Sequence, residues 1–497
     1  MFQEILPQLS ALKIWQLVAL LPAAWIAMEV LQGVILGFYN VFFHPLRHFR
    51  GNSWEIGIPL LWHRHVLRGT ASHISMERHD KYGDVVRIGP NLLSYSSAQA
   101  WRDIYGASND LPKMVFGDLG INPDSVFLAP KGEHGRQRRV MAPAFTEKSI
   151  AKQEQLIRVY IDLLVQRLRE TDGLPTNAVR WFNLTTFDLI GDLTFGQSLQ
   201  GLENNASNLW LDNLNKQMQF IPIIILTKMS TTVSLMIRLI LGPTIKAVHA
   251  KQSANIKRMV HERLTKDDRG DFMDYMIGKL PEKELIGNAD IFMIAGSHTS
   301  SVLLSGLAYW LCVTPDAYKK VTTEIREAFS DGNQITFEAC TKLPYLQAVI
   351  NEGLRIFPPV PIALNRQTVA PTMICGQMIP AGTYLGVNHL VVTHSEENFH
   401  KANEFIPERW LEKDDPESPF YNDKRDASQP FSTGPRNCIG QALAGYQIRL
   451  ICSKVLWNFD MELEPECSDW KEQRIFASWT LPPLMIKFVD RFRGEKA

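Results

Sequence analysis

Apolar residues recur at spacings of three and four, with polar faces between them, over residues 151–170, 308–330 and 441–457; this period predicts amphipathic helices that bury one face. Alternation with a period of two is confined to short stretches. It runs from Val85 to Tyr95 around Gly89-Pro90, predicting a small β-hairpin, and strand-like runs return from Met373 to Ile379 and from Thr383 to Val387. The balance is a mainly α fold with small β-sheets. Two stretches lack a polar face altogether. Ile14 to Phe43 carries Glu29 as its only charge and exceeds the roughly 20 residues that cross a bilayer, so it reads as a transmembrane anchor. An acid at the bilayer centre costs about 2.5–3.5 kcal/mol, and a tilted or shifted span avoids that cost by bringing Glu29 towards an interface. Asp290 to Asp316 has no charge between its ends, yet it holds the block Gly296-Ser297-His298-Thr299-Ser300-Ser301. That block predicts a long core helix over an internal site, not a second span.

No linker, charge run or internal repeat divides the 497 residues, so the expected plan is a tail over 1–13, an anchor over 14–43 and one large domain over 44–497. Arg47, Arg50, Arg64 and Arg68 follow the anchor while only Lys13 precedes it, which places the large domain on the cytoplasmic side. A cleaved signal peptide fits less well because the apolar run is too long. Lys plus Arg equals Asp plus Glu at 52 each, so no net field favours nucleic acid or another polyanion. Six cysteines without a C-x-x-C pair argue against a disulfide scaffold or a zinc site and suit a reducing compartment. The sequons at Asn183 and Asn205 count for less than that cysteine pattern.

The densest chemistry lies in Phe431-Ser432-Thr433-Gly434-Pro435-Arg436-Asn437-Cys438-Ile439-Gly440, a lone cysteine in a glycine-bearing loop that leads into a helical pattern. Backbone N–H groups of a tight loop hydrogen-bond a thiolate, Phe431 covers the sulfur, Gly434 and Gly440 let a flat macrocycle approach, and Arg436 meets a carboxylate of that macrocycle. The loop therefore reads as a haem-thiolate site with Cys438 as the axial ligand of the iron. Five matches at F-x-x-G-x-R-x-C-x-G spacing arise by chance in fewer than about one chain in a thousand, which sets aside a buried cysteine in an ordinary turn.

These residues resemble the cytochrome P450 family, and three further motifs carry the resemblance in order and spacing: Glu352-Gly353-Leu354-Arg355 as E-x-x-R, Pro407-Glu408-Arg409-Trp410 as P-E-R-F/W, and Ala295-Gly296-Ser297-His298-Thr299-Ser300 as the oxygen-binding A-G-x-[DE]-T-T/S segment. Tyr39-Asn40-Val41-Phe42-Phe43-His44-Pro45-Leu46 and Phe405 to Leu411 look most like filamentous-fungal members. The resemblance implies the family's fold, haem b, dioxygen, and NADPH-derived electrons from a separate flavoprotein reductase, with cytochrome b5 as a further donor. This chain has no nicotinamide or flavin fingerprint of its own. It also implies an endoplasmic-reticulum membrane enzyme crossing once, with its catalytic domain in the cytosol.

By the same resemblance, Glu352, Arg355 and Arg409 form a buried charge network, while Arg138, with His134 where the family has Trp, and Arg366 join Arg436 at the haem propionates. Arg136 and Arg139 read as a solvated basic face or as part of a reductase dock. In the oxygen-binding segment, Gly296 opens room for dioxygen or lets the helix bulge, Thr299 donates a hydrogen bond to the bound oxygen, and Ala295–Thr299 and Gly296–Ser300 share helix faces. Back-bonding of the hydroxyls to their own helix is the competing reading. His298 replaces the usual acid and relays protons with a pKa near about 6.5. Val115–Phe127, Val360–Leu364 and Phe476–Trp479 are the expected substrate-facing sets, and Phe220–Leu241 reads equally as a lid over the substrate pocket that dips into the bilayer surface or as an ordinary packed helix. Hydroxylation or epoxidation of a hydrophobic terpenoid or polyketide leads. A haem-thiolate isomerase, dehydratase or ring-forming enzyme stands second, and a non-catalytic haem sensor third.

Overall fold

Long runs with a helical period set the architecture, and proline and glycine break it. The computed structural model describes residues 14–109, 111–114, 122–206, 223, 231–240 and 242–493. Helices make up 57% of the fold, as the mainly α pattern requires. The helix Glu154–Arg169 buries Ile157, Tyr160, Ile161, Leu164, Val165 and Leu168, one stripe at helical spacing. The single helical period over 308–330 is split at Pro315, which starts a new helix, Pro315–Ala328, after Thr299–Val313 has ended.

The centre of the molecule is a rod made of Glu282–Met293, a π-helical turn over Ile294–His298, and Thr299–Val313. It is mostly buried within the protein, which agrees with a core helix and not a second span. Beside it lies Ala178–Phe195, in which all residues but Arg180 and Asp192 are buried; Asn177 caps its start and Gly196 ends it. The two approach so closely that a Cβ on Gly296 would come within 2.9 Å of Ile190 Cδ1. Gly296 thus packs against Ile190 from within the π-helical turn. Asn183 and Thr185 of the first sequon are buried in that neighbouring helix, where an oligosaccharide has no place.

The strands are β1 (Val85–Gly89), β2 (Leu92–Tyr95), β3 (Thr176–Asn177), β4 (Arg366–Gln367), β5 (Thr372–Ile374), β6 (Gln377–Ile379), β7 (Tyr384–Val387), β8 (Phe459–Leu463) and β9 (Met485–Asp490). They form a four-stranded sheet in the order β1-β2-β7-β4, a three-stranded sheet β3-β9-β8 and the pair β5-β6. β1 and β2 are the expected hairpin, and β2 runs parallel to β7 with Leu93 opposite Leu385. The run Met373–Ile379, read as one strand, folds back on itself at Cys375 and Gly376, both with positive φ.

The helix Ile14–Phe42 is exposed along most of its described length and meets the domain near its end, where Gly37 packs on Gly57, and its stretch Ala23–Phe42 is long and apolar enough to cross a membrane. Of the expected lid at Phe220–Leu241, the helix Thr231–Ile240 and Ile223 are described; residues 220–222, 224–230 and 241 lie outside the described residues, as do residues 115–121 of the first substrate-facing set.

Candidate active site

A 3-10 turn at Gly434–Arg436 sets up the cysteine loop, and Cys438 then donates its N–H to the carbonyl of Phe431 at 2.8 Å. Gly434 has φ +73°, and a Cβ there would overlap the carbonyl oxygen of Tyr105, so only glycine lets this loop seat on the helix Ala98–Tyr105. Gly440 is less constrained: an added Cβ would lie 3.9 Å from Cys438 Sγ, an ordinary contact. Phe431 is half-buried and packs on the main core. Cys438 is the one exposed cysteine of the six. Burial raises its pKa, and the Gly440 N–H and the Arg138 guanidinium oppose that rise.

Arg138 clamps the loop. Its Nη1 donates to the Asn437 carbonyl and its Nη2 to Asn437 Oδ1, each at 2.6 Å. His134 is buried on the same helix, Lys131–Met141. Arg136, read as a solvated or docking residue, instead pairs with Glu133 and with Glu284 of the central rod at 2.7 and 2.6 Å. Arg139 is exposed.

Arg366 lies on β4 with its guanidinium 5.2 Å from the Tyr105 ring centre. Lys113 is bridge-paired to Arg366, and Arg436 reaches the Ala129 carbonyl at 3.1 Å. Lys113 is pushed down to about 7, by burial first and then by the charges of Arg366 and Arg436. Its Nζ donates to the Phe127 carbonyl at 2.9 Å and sits 3.8 Å from the Phe127 ring centre. Three cations drawn together in a desolvated place make a seat for an anionic group, because like charges there repel until an anion joins them. The sequence pattern gave no sign of Lys113; only pairing with β4 brings it to Arg366.

Within the π turn, Ala295 is exposed, Gly296 and Thr299 are half-exposed, and His298 and Ser300 are buried. Thr299 Oγ1 donates to the Ala295 carbonyl at 2.6 Å and Ser297 Oγ to that of Met293 at 2.5 Å. The back-bonding reading of Thr299 is therefore realised: its proton is engaged, and its oxygen remains an acceptor. His298 Nε2 is buried with no hydrogen-bond partner among the described residues, and burial lowers its pKa to about 4. A neutral imidazole replaces the expected group titrating near about 6.5.

The charge network is assembled and larger than expected. Arg355 donates to Glu352 at 2.9 and 2.7 Å, and Arg409 Nε at 3.2 Å. The Ile406 N–H and Trp410 Nε1 add bonds of 2.9 Å each to the same carboxylate. Burial alone would raise the Glu352 pKa, but the two guanidinium groups hold it below the usual carboxylate range. Asp423, which no motif marked, pairs with Arg409 and completes a buried set of two acids and two arginines.

Of the expected substrate-facing sets, Leu364 is 38% exposed and Phe476 half-buried. Trp479 faces the core, stacked on Phe357 at 4.2 Å with its N–H on the Pro358 carbonyl at 2.7 Å, so it is a packing residue.

The most exposed cysteine, in a loop bonded by arginine with three basic groups nearby, fits a haem-thiolate site: Cys438 is suited to the iron and Lys113, Arg366 and Arg436 to the propionates. Residues 52–488 match the family Cytochrome P450. Similar proteins include the cytochrome P450 monooxygenase dtxS2 of Metarhizium robertsii, 37% identical with 96% of each chain covered. Others are the trichothecene C-4 hydroxylase of Trichoderma arundinaceum, 38% identical over 92% of this chain and 95% of that one, and the averantin hydroxylase of Dothistroma septosporum, 38% over 91% and 88%. The chain belongs to the cytochrome P450 family and is a monooxygenase.

Proposed function

We propose that the enzyme inserts one atom of O2 into a C–H or C=C bond of a hydrophobic small molecule, a terpenoid or polyketide secondary metabolite, while the other atom leaves as water with two electrons and two protons. The accessible Cys438 thiol in its arginine-clamped loop is the observation that carries this reading. Relatives named as hydroxylases of trichothecene and averantin support the substrate class. Haem, when bound, supplies the redox chemistry that activates O2.

The protein's own groups do the rest. Cys438 holds the iron, with the Gly440 N–H stabilising the thiolate and Phe431 shielding the loop. Lys113, Arg366 and Arg436 hold the propionates together with Arg138, which also bonds the loop at Asn437, and His134 lies buried one turn before Arg138 on the same helix. Thr299 Oγ1, its proton engaged by Ala295, accepts a hydrogen bond at the exposed stripe. His298 stands beside Thr299 as a neutral imidazole and not as a standing imidazolium. Glu352, Arg355, Arg409 and Asp423 fix the polypeptide around the site. Electrons come from an NADPH-dependent flavoprotein reductase, with cytochrome b5 as a second donor. Residues 14–43 anchor the catalytic domain, 44–497, to the endoplasmic-reticulum membrane on its cytosolic side.

Membranes carrying the chain and a reductase, given 18O2 and a panel of apolar terpenoids and polyketides, are expected to yield a product with one heavy oxygen atom. Product formed without heavy oxygen would replace this reading with isomerisation, dehydration or ring formation.

A further inference from the structure

We propose that Tyr105 is a positioning residue that joins the two halves of the haem site, its carbonyl seating the cysteine loop and its ring holding the Arg366 guanidinium in the anion seat; this rests on the reading of Cys438 as the ligand of the iron. Two sets of contacts carry it, one at the backbone of the helix Ala98–Tyr105 and one at the phenol.

The first set faces the cysteine loop. Tyr105 closes the last turn of its helix, where carbonyls lack helical partners. Gly434 lies against that carbonyl: a Cβ added to it would overlap the oxygen and stand 3.2 Å from Gly106 Cα. Trp101, one turn earlier, has its ring centre 5.0 Å from that of Tyr105. It holds the approach to the loop at two further points, donating Nε1 to the Ala427 carbonyl at 2.9 Å and accepting from Thr433 Oγ1 at 3.4 Å through its own carbonyl. This short helix therefore sets the height of the segment from Ala427 to Gly434, and with it the position of Cys438.

The second set faces the anion seat. Tyr105 is 4% exposed, and its hydroxyl accepts from the Val387 N–H at 3.1 Å. Val387 ends β7, the strand on which Arg366 of β4 pairs opposite Leu385. One strand thus pins the far end of the phenol, and the guanidinium from the neighbouring strand lies over its ring, 5.2 Å from the centre. Burial pushes the Tyr105 phenol up to about 12, so the ring meets Arg366 as a neutral π face. An arginine side chain has wide rotamer freedom, and stacking on a fixed aromatic face removes much of it. No motif marked Tyr105, yet it is where the cysteine loop and the anion seat meet.

One-electron potentials of the haem-loaded full chain test this, measured on protein that shows the red-shifted carbon-monoxide band. A cation fixed beside the propionates favours the electron that reduction adds. Tyr105→Leu, which frees Arg366, is expected to lower the reduced fraction at a fixed poise about threefold, a fall of about 30 mV at about 59 mV per tenfold. Tyr105→Phe keeps the ring and should hold the potential of the unaltered chain, although the Val387 N–H loses its acceptor and the denaturant midpoint falls. Arg366→Gln should shift the potential at least as far as Tyr105→Leu, and adding Tyr105→Leu to it should change nothing further. An unchanged potential in Tyr105→Leu, an equal fall in Tyr105→Phe, or additive falls in the double variant would overturn the inference and leave the haem site standing. Absence of the red-shifted band in the unaltered chain would remove Cys438 as the ligand and the inference with it. Should Tyr105→Leu retain no haem, Tyr105→Met takes its place; should Arg366→Gln retain none, the comparison with Tyr105→Phe decides alone.

Discussion

At the scale of single residues, the decisive distinction is between charges that are buried and charges that are not. Glu352, Arg355 and Arg409 have side chains with no exposure, and Asp423 only 2%, so each depends on the others for solvation. With Glu352 alone, the two guanidinium groups would leave a net positive charge in the core; Asp423 balances it. Removing one partner of such a set costs about 3–5 kcal/mol, because the remaining charge stays buried and unpaired. Asp423→Ala is therefore expected to lower stability by about that amount and to reduce the fraction of protein that retains haem. The exposed pair Arg102–Asp426, at 61% and 53%, is the control: Asp426→Ala should cost no more than about 1 kcal/mol. Denaturant midpoints of the two variants measure both. Equal midpoints would remove Asp423 from the network.

At the scale of elements, the sequence made the helices, the hairpin and the cysteine loop legible because each has a local cause: a period of 3.6, alternation around Gly-Pro, and a dense motif. It hid whatever depends on a distant partner. Lys113 acquires its place from β4, some 250 residues away, and Asp423 from Arg409 across a loop that has no periodicity. The central rod shows both cases. Its polar block correctly identified a core helix. That Gly296 lets the helix bulge is legible in residue type; the form of the bulge as a π turn is not, because it combines back-bonding by Ser297 and Thr299 with the fit of Gly296 against Ile190. For the same reason, His298 looked like a titrating relay in the sequence. Its low pKa is a property of burial, which only the packed rod supplies. Trp479 is similar: its position in the motif order suggested the substrate, and its stacking on Phe357 places it in the core.

At the scale of the whole molecule, buried imidazoles set the response to acid. Burial holds His79 and His298 at about 4 and His389 and His394 at about 3. Unfolded histidines titrate near about 6.5, so between that pH and about 4 the unfolded chain binds protons that the folded protein does not. The contribution of these groups is complete above about pH 6.5 and is lost as the pH falls, by up to roughly 1.4 kcal/mol per pH unit for each. Asp290, raised to about 6 by burial, works in the opposite direction, as do Asp188 and Asp271, whose carboxyls burial also raises, but His44, His63 and His73 are lowered by burial too and add to the loss. The denaturant midpoint is therefore expected to be lower at pH 5 than at pH 7.5. A midpoint that holds or rises on acidification would contradict this balance.

The fold, the anchor and the charge network all serve one claim, that Cys438 ligates haem iron as a thiolate. The reduced, carbon-monoxide-bound absorption spectrum of membranes carrying the chain tests it most directly. The expected result is the red-shifted Soret band of a thiolate-ligated ferrous haem, absent in Cys438→Ala. An ordinary haem-protein band in the unaltered chain, or the red-shifted band persisting in Cys438→Ala, would contradict the account.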